Sequence, residues 1–325
     1  MRLQRRPSGR RFKHAFQAHG ANTLFRPLIF SVDDPMKRQD FRLLHRMRVR
    51  WAEVDAQKIV FNGHYLMYLD TAMGEYWRRL AFPYLEAMPA QNGDLYVKKA
   101  SLEYHASARC DELIDVGLRC ARIGTSSLQF LGGIFRGDQL LINGELIYVF
   151  ADPATQTSKP VPKALRDLFL GFEAGQPMVE VKTGSWAQLG KDSGTLRTQV
   201  FIEEQGIPEE MEWDDADHSA VHAVAYNRVG LALATGRLLQ HGPAADRVGR
   251  IGRMAVNSVL RGASLGRDIL QALLDAAVAR GDREVLLHAQ TSAQGFYSRL
   301  GFTPRGPQFD EVGIAHQEMF VRLVP

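Results

Sequence analysis

The stretch Arg48-Val49-Arg50-Trp51-Ala52-Glu53-Val54-Asp55-Ala56-Gln57-Lys58-Ile59-Val60-Phe61-Asn62-Gly63-His64-Tyr65-Leu66 decides the fold of the first half of the chain. It leaves a strand-like run, His45 to Trp51, crosses a turn-rich segment and enters a helix at about Asn62–His64. Beyond it, Tyr65, Leu69, Ala72, Tyr76 and Leu80 recur at spacings of three and four, and Leu66, Met73 and Trp77 widen the stripe. A helix apolar over so much of its circumference is buried, so other elements must wrap it. Four strand-like runs follow the turn at Asn92-Gly93-Asp94: Leu95–His105, Glu112–Ile123, Ser127–Arg136 and Gln139–Asp152. One long buried helix followed by antiparallel strands is an α+β pattern, a sheet wrapped on a helix.

The wider chain holds 325 residues, 45% hydrophobic and 23% charged, which suits two globular domains and excludes a disordered or collagen-like chain. No run of eighteen apolar residues occurs, so no membrane span is expected. Two cysteines, Cys110 and Cys120, make no disulfide framework and fit a reducing, cytoplasmic setting. The net charge of +4 is unevenly spread. Residues 1–40 carry nine Lys/Arg against three Asp, leaving 31 basic and 33 acidic residues in 41–325. The body is near neutral, so no nucleic-acid partner is expected. The basic leader has no unbroken apolar core, because Arg26-Pro27 interrupts it, and it reads as an unstructured tail with Met36 a natural alternative start. The first domain is assigned to 41–172 and a linker to 173–180. The second domain, 181–325, mixes elements: helices at Ser193–Gln205, Ser264–Gly281 and Ser292–Leu300, and strands at His218–Tyr226, Gly230–Gln240, Gly249–Asn257 and Glu284–Ala289, with a final strand pair.

In the opening stretch, Asp55 is a carboxylate in a strand-to-helix loop, beside a helix start whose backbone N–H groups near Gly63, His64 and Tyr65 are placed to polarise a carbonyl. That pairing suffices for thioester hydrolysis, with the carboxylate as base for water or as nucleophile. Spacing alone favours a plainer role for Asp55, a cap or a salt bridge with Arg48 or Arg50. Residues 41–152 resemble the 4-hydroxybenzoyl-CoA thioesterase family of hotdog folds. The signature residues are Arg48, Arg50, Trp51, Asp55, Tyr65 and Leu66, with Val97 to His105 and the Arg122-Ile123-Gly124-Thr125-Ser126-Ser127 turn in support. Where many relatives read His-x-Asn, this chain reads Asn62-Gly63-His64. The resemblance implies a catalytic Asp55 and an active site across a dimer interface, hence a homodimer or higher homo-oligomer. His64 and Glu75 are further candidates, although a Glu on so long a helix is more often solvated or paired.

In the second half, Gly249 to Asn257 reads as a strand, and Arg261-Gly262-Ala263-Ser264-Leu265-Gly266-Arg267-Asp268-Ile269-Leu270 as a turn into an amphipathic helix. Small residues there let backbone N–H groups cradle an anion such as a pyrophosphate. The segment resembles the GNAT acyltransferase superfamily over about 181–325, with Ser264 where the first loop Gly usually sits. Arg253-Met254-Ala255-Val256, His288-Ala289-Gln290 and Phe296-Tyr297 through Gly301-Phe302 match further. The resemblance implies acetyl-CoA contacts at Met254, Ala255, Val256, Arg261, Gly262, Ser264, Leu265, Gly266 and Gln290, with Tyr297 protonating the departing thiolate. It also offers Glu204 and His316 as bases.

Between Phe201 and His218, eight acids stand with no Lys or Arg among them, which suggests either a solvated loop or steering of a cationic amine acceptor. His218 and His222 are four apart like helical zinc ligands, but the alternation around them is strand-like, and no metal is expected. The expectation is a bifunctional enzyme using acyl-CoA and acetyl-CoA as substrates, with no tightly bound cofactor. The alternative is one active domain beside a CoA-binding regulatory or assembly module.

Overall fold

The computed structural model describes residues 36–311 and 313–323. Residues 1–35, which make up most of the expected basic leader, lie outside the described residues. Strand β1 (Leu43–Arg48) leads through a short 3-10 turn to helix α1 (His64–Arg79) and the single turn α2 (Tyr84–Ala87). Strands β2 (Asp94–Tyr104), β3 (Leu113–Ile123), β4 (Ser127–Arg136) and β5 (Gln139–Ala151) follow, then helix α3 (Lys163–Glu173). The sheet order is β1-β3-β4-β5-β2, antiparallel throughout.

Helix α1 buries one face, as its periodicity predicts, with Tyr65, Tyr68, Leu69, Ala72, Met73, Tyr76 and Trp77 toward the interior, whereas Leu66, expected to widen the stripe, is 39% exposed. Each such side chain removed from water contributes roughly 1.5–3 kcal/mol. The close approach depends on two glycines paired across β4 and β5, Gly132 and Gly144. A Cβ on either would lie 2.5 or 2.7 Å from a Leu69 methyl carbon. From the far side, Phe169 of α3 packs on Tyr76, Trp77 and Phe130.

The second sheet is built from β6 (Val179–Gly184), β7 (Val221–Asn227), β8 (Ala232–His241), β9 (Val248–Val256), β10 (Glu284–Gln290), β11 (Thr303–Pro304), β12 (Phe309–Glu311) and β13 (Ile314–Arg322). Its helices are α4 (Trp186–Arg197), α5 (Glu209–Glu212), α6 (Leu265–Arg280) and α7 (Gln294–Ser298). The order is β11-β13-β10-β9-β8-β7-β6, with β12 added on β13. Only β9 and β10 run parallel, joined by the crossover helix α6. Asn227 Nδ2 donates to the Ala81 carbonyl and Asn257 Nδ2 to Glu86, so loops of the two sheets meet.

Three stretches differ from the sequence reading. Val179 and Glu180, expected in the linker, open β6. The helix expected at Ser193 starts at Trp186, where Gln188 Oε1 accepts the Ser185 N–H as in a capping box, and from Thr198 to Glu204 it widens into π turns. The strand expected from His218 starts at Val221, because Asp215–Ser219 forms a 3-10 turn. Among the described residues no helix is long and apolar enough to cross a membrane.

Candidate functional site

The loop between β1 and α1 is held by local pairs that leave Asp55 apart from both arginines. Arg48 Nη1 donates to the Asp111 carbonyl at 2.7 Å and to its carboxylate at 3.0 Å. Arg50 Nε donates to Glu53 Oε1 at 2.7 Å, and the Arg50 N–H to Oε2 at 2.7 Å. Half-buried Asp55 donates its N–H to the Ile59 carbonyl and accepts the Gln57 N–H on Oδ1 at 2.8 Å. Of the two plainer roles that spacing favours, the salt bridge is absent among the described residues, while Oδ1 takes the local capping one on the Gln57 N–H; the second carboxylate oxygen has no hydrogen-bond partner there.

Glu53, which the sequence reading did not single out, is only 2% exposed and accepts the Tyr68 hydroxyl at 2.8 Å. Burial pushes its carboxyl up, but the Arg50 backbone N–H and guanidinium and the Tyr68 hydroxyl together hold it below the ordinary carboxylate range. The Arg50-x-x-Glu53 spacing was the available signal. The predicted Tyr65 is buried, and its hydroxyl accepts the Ala108 N–H at 2.8 Å. These two contacts fix the first turn of α1 from both sides. The His64 N–H is spent on the Phe61 carbonyl, while its Nδ1 lies 3.4 Å from the Met67 sulfur. Gly63 is the helix cap, so the free donors are those of the turn it opens. Glu75 pairs with Arg78 and sits about 16 Å along the axis from His64 by the helical rise. Trp51, Phe61, Leu66 and Met67 stand exposed beside this loop, Trp51 by 82%.

In the second half, the geometry is set by a bulge. Thr235 pairs with Ala255 and Arg237 with Gly252, so Arg253 and Met254 together oppose only Gly236. Arg253 takes a left-handed φ of 52°, and its guanidinium is clamped on Glu212, Nε to Oε2 at 3.3 Å. The bent β9 pairs with β10 only from Val248–Ile251 against Glu284–Leu287, and beyond that the two strands diverge. A cavity of about 360 Å³ opens there. Met254, Gln290, Tyr297 and His316 all line it, as do Arg250, Arg253, His288 and Glu311, which the sequence reading did not single out as site residues. Tyr297 is 9% exposed, its hydroxyl has no hydrogen-bond partner among the described residues, and burial pushes its phenol up to about 12.

Arg261, Gly262, Ser264, Leu265 and Gly266 form the turn into α6. Gly262 and Ser264 have φ of 86° and 70°, the left-handed geometry that glycine favours, and the Ala263 N–H between them is donated to the Leu260 carbonyl. Arg261 is engaged: its two Nη atoms donate to the two Glu204 oxygens, each at 2.6 Å. The guanidinium holds the Glu204 carboxyl below the ordinary carboxylate range, and Glu204 does not line the cavity that holds Tyr297 and His316.

Four of the eight acids in this run, Glu204, Glu212, Asp214 and Asp217, are paired with arginines from elsewhere in the chain, so half of the run is compensated. Arg197, wholly buried, pairs with Glu212 and Asp217 and lies between the rings of Trp186 and Trp213. Arg237 pairs with Asp214 and Asp217, Arg253 with Glu212, and Arg261 with Glu204. Desolvated charges are retained when paired in this way, and half of the run is structural. His222 belongs to this core, its Nε2 on the Asp217 carbonyl at 2.9 Å, while His218 is exposed.

Comparison with known proteins divides the chain at the same place. The thioesterase-superfamily model matches residues 57–143, beginning two residues after Asp55. The GNAT acetyltransferase-domain model matches 192–323, a range that holds Met254–Val256, the 261–266 loop and Tyr297. The second part is similar to the uncharacterized N-acetyltransferase YjcF of Bacillus subtilis, 32% identical over 130 residues, 40% of this chain and 89% of that protein. The first part is similar to the acyl-CoA thioester hydrolase YbgC of Escherichia coli, 27% identical over 120 residues, 37% of this chain and 89% of that one. The solved structure of Escherichia coli ElaA is 28% identical and covers 44% of this chain and 99% of its own, with a TM-score of 0.39.

Proposed function

The chain belongs to the GNAT acetyltransferases through its C-terminal part and carries a thioesterase-superfamily domain ahead of it, and from that membership we propose a bifunctional CoA-thioester enzyme. The N-terminal domain hydrolyses acyl-CoA, and the C-terminal domain transfers an acetyl group from acetyl-CoA to an amine. The observation that carries the second activity is the bulge-driven divergence of β9 from β10 beside the unpartnered hydroxyl of Tyr297.

In the transferase site, β9 has no β10 partner beyond Ile251, so backbone groups of Met254–Val256 can hydrogen-bond the amide-containing arm of CoA once Arg261 Nε leaves the Val256 carbonyl, and the turn offers the N–H groups of Gly262, Ser264, Leu265 and Gly266 to its phosphates. The amine nitrogen attacks the thioester carbonyl carbon, a C–N bond forms and the C–S bond breaks. The sulfur leaves as thiolate and takes up the proton that the nitrogen sheds, giving amide and CoA thiol. Tyr297 stays protonated at neutral pH because burial raises its phenol, so it hands its proton to the sulfur as charge develops there and is reprotonated by the proton that the nitrogen sheds, which thus reaches the sulfur through the phenol.

In the hydrolase site, the unpartnered oxygen of Asp55 activates water or attacks the thioester itself, and N–H groups at the start of α1 receive the oxyanion. Water oxygen ends on the acyl carbon, and CoA leaves as thiol. A second copy of the chain completes this site. Support for that comes from the exposed Trp51, Phe61 and Met67 around the loop, and from β2, an eleven-residue edge strand with Val97 and Tyr104 exposed.

A second reading, in which the C-terminal domain binds CoA only as a regulatory or assembly module, draws on Ser264 in a glycine conformation and on Arg261 tied to Glu204. Thiol-release assays separate the two. Asp55→Asn should lower acyl-CoA hydrolysis by about 100-fold or more, and Tyr297→Phe should slow acetyl transfer about tenfold or more with the acetyl-CoA Kd little changed. Undiminished hydrolysis by Asp55→Asn would remove Asp55 from the mechanism, and acetyl-CoA binding without transfer to any amine would favour the module.

A further inference from the structure

The transferase cavity is lined by two opposite charges, Arg250 and Glu311, that do not pair with each other. Register puts Arg250 of β9 beside Leu286 of β10, and His288 beside Glu318 of β13, on one face of the sheet. Glu311 reaches the same place from β12. Arg250 Nη2 lies 3.1 Å from His288 Nδ1, and Glu311 Oε2 lies 3.4 Å from the same nitrogen. A guanidinium only donates, so Arg250 gives its N–H to the Nδ1 lone pair and the ring proton sits on Nε2, 3.9 Å from Glu318. Burial, and then the Arg250 charge, push His288 below its ordinary value and keep the ring neutral.

Arg250 is thus held by a neutral ring and not by a carboxylate. Among the described residues no acid lies within ion-pair distance of it, whereas Arg197, Arg237, Arg253, Arg261 and Arg305 all have carboxylate partners. Glu318 is occupied by Arg305 at 2.6 Å, while Glu311 meets no Lys or Arg. Opposite charges that are half-buried and left apart gain little for their desolvation, unless a ligand supplies both counter-charges.

We propose that the acceptor is an amine that carries its own carboxylate, of the amino-acid class, with its carboxylate on Arg250 and its ammonium group at Glu311. The assignment rests on the transferase reading and names that site's substrate. The bound ammonium passes one proton to the Glu311 carboxylate, which returns it to water. The neutral amine then attacks the acetyl carbon as described above, and its second proton leaves with the CoA thiol. The products are an N-acetyl amino acid, CoA thiol and one released proton.

The test uses the full chain, acetyl-CoA and three matched sets of acceptors: the twenty standard amino acids, their methyl esters and their decarboxylated amines, read by mass spectrometry and thiol release. At least one amino acid should be acetylated with kcat/KM about tenfold or more above its ester and its amine. In Arg250→Gln that preference ratio should fall toward one, and Arg250→Lys should restore part of it. The ratio is insensitive to partial loss of folded protein, which lowers all three acceptors alike. Esters or amines serving as well as amino acids, or a ratio unmoved in Arg250→Gln, would overturn the assignment and leave the transferase reading standing. Acetyl-CoA binding by calorimetry with no acceptor of any set acetylated would overturn both.

Discussion

Glu204 and Ser264 show how far single residues can be read without their surroundings. As a carboxylate near a CoA loop, Glu204 reads as a base, yet its two oxygens are spent on Arg261. The pair is 45% exposed at Arg261 and 41% at Glu204, so it contributes at most about 1 kcal/mol. Glu204→Gln should therefore release Arg261 and tighten acetyl-CoA binding roughly two- to fivefold by calorimetry. A loss of kcat by a hundredfold would instead make Glu204 the base. Ser264 occupies the left-handed region at φ 70° that favours glycine. Ser264→Gly should relieve that strain and stabilise the protein by up to about 1 kcal/mol in a denaturant titration, with CoA binding retained. A destabilised Ser264→Gly protein would mean that the hydroxyl matters more than the backbone. Asp55 and Tyr297 stand out as candidates in the sequence because a motif surrounds each. Glu53, Arg250 and Glu311 do not: apart from the local Arg50-x-x-Glu53 pair, their partners Tyr68 and His288 lie 15 to 38 positions away in sequence.

At the scale of elements, strong periodicity carried through. The stripe from Tyr65 to Leu80 is the buried face of α1, and Ser127–Arg136 is β4 as expected. Less legible were features that arise between elements: the bulge of Arg253 and Met254 against Gly236, the widening of α4 into π turns, and β6, which starts inside a segment that reads as linker. The bulge and β6 have no local sequence signature, since their pairing partners decide them. Glu173 is another case. It ends α3, where its Oε1 accepts the Tyr76 hydroxyl and the Cys120 N–H, and burial pushes its carboxyl up despite those two donors. A carboxyl raised in the folded state favours folding fully below its unfolded pKa and loses that contribution as pH rises through the folded value. Glu173→Gln keeps an oxygen for both donors and removes the charge. Its melting temperature should exceed the parent's by more at pH 8 than at pH 5, and a gain equal at both pH values would show that Glu173 does not titrate in this range.

For the whole molecule, the net charge of +4 is a poor guide and its placement a better one. The acids between Glu203 and Asp217 that suggest a cationic ligand are half consumed by Arg197, Arg237, Arg253 and Arg261, and the charge left to meet a ligand lies at Arg250 and Glu311. The edge strand β2 bears on assembly. If a second copy pairs along it, light scattering should give at least twice the mass of one chain. Val97→Lys should then shift the protein toward monomer and lower hydrolysis more than acetyl transfer. A monomeric parent with full thioesterase activity would place the hydrolase site within one chain. The most direct measurement of two separate CoA-thioester activities follows acyl-CoA and acetyl-CoA by mass spectrometry, with and without amino-acid acceptors, in the parent, Asp55→Asn and Tyr297→Phe. Free acid should form without acceptor and disappear in Asp55→Asn alone, while N-acetyl product should fall in Tyr297→Phe and persist in Asp55→Asn. Free acid undiminished in Asp55→Asn, or both products lost together in either variant, would contradict it.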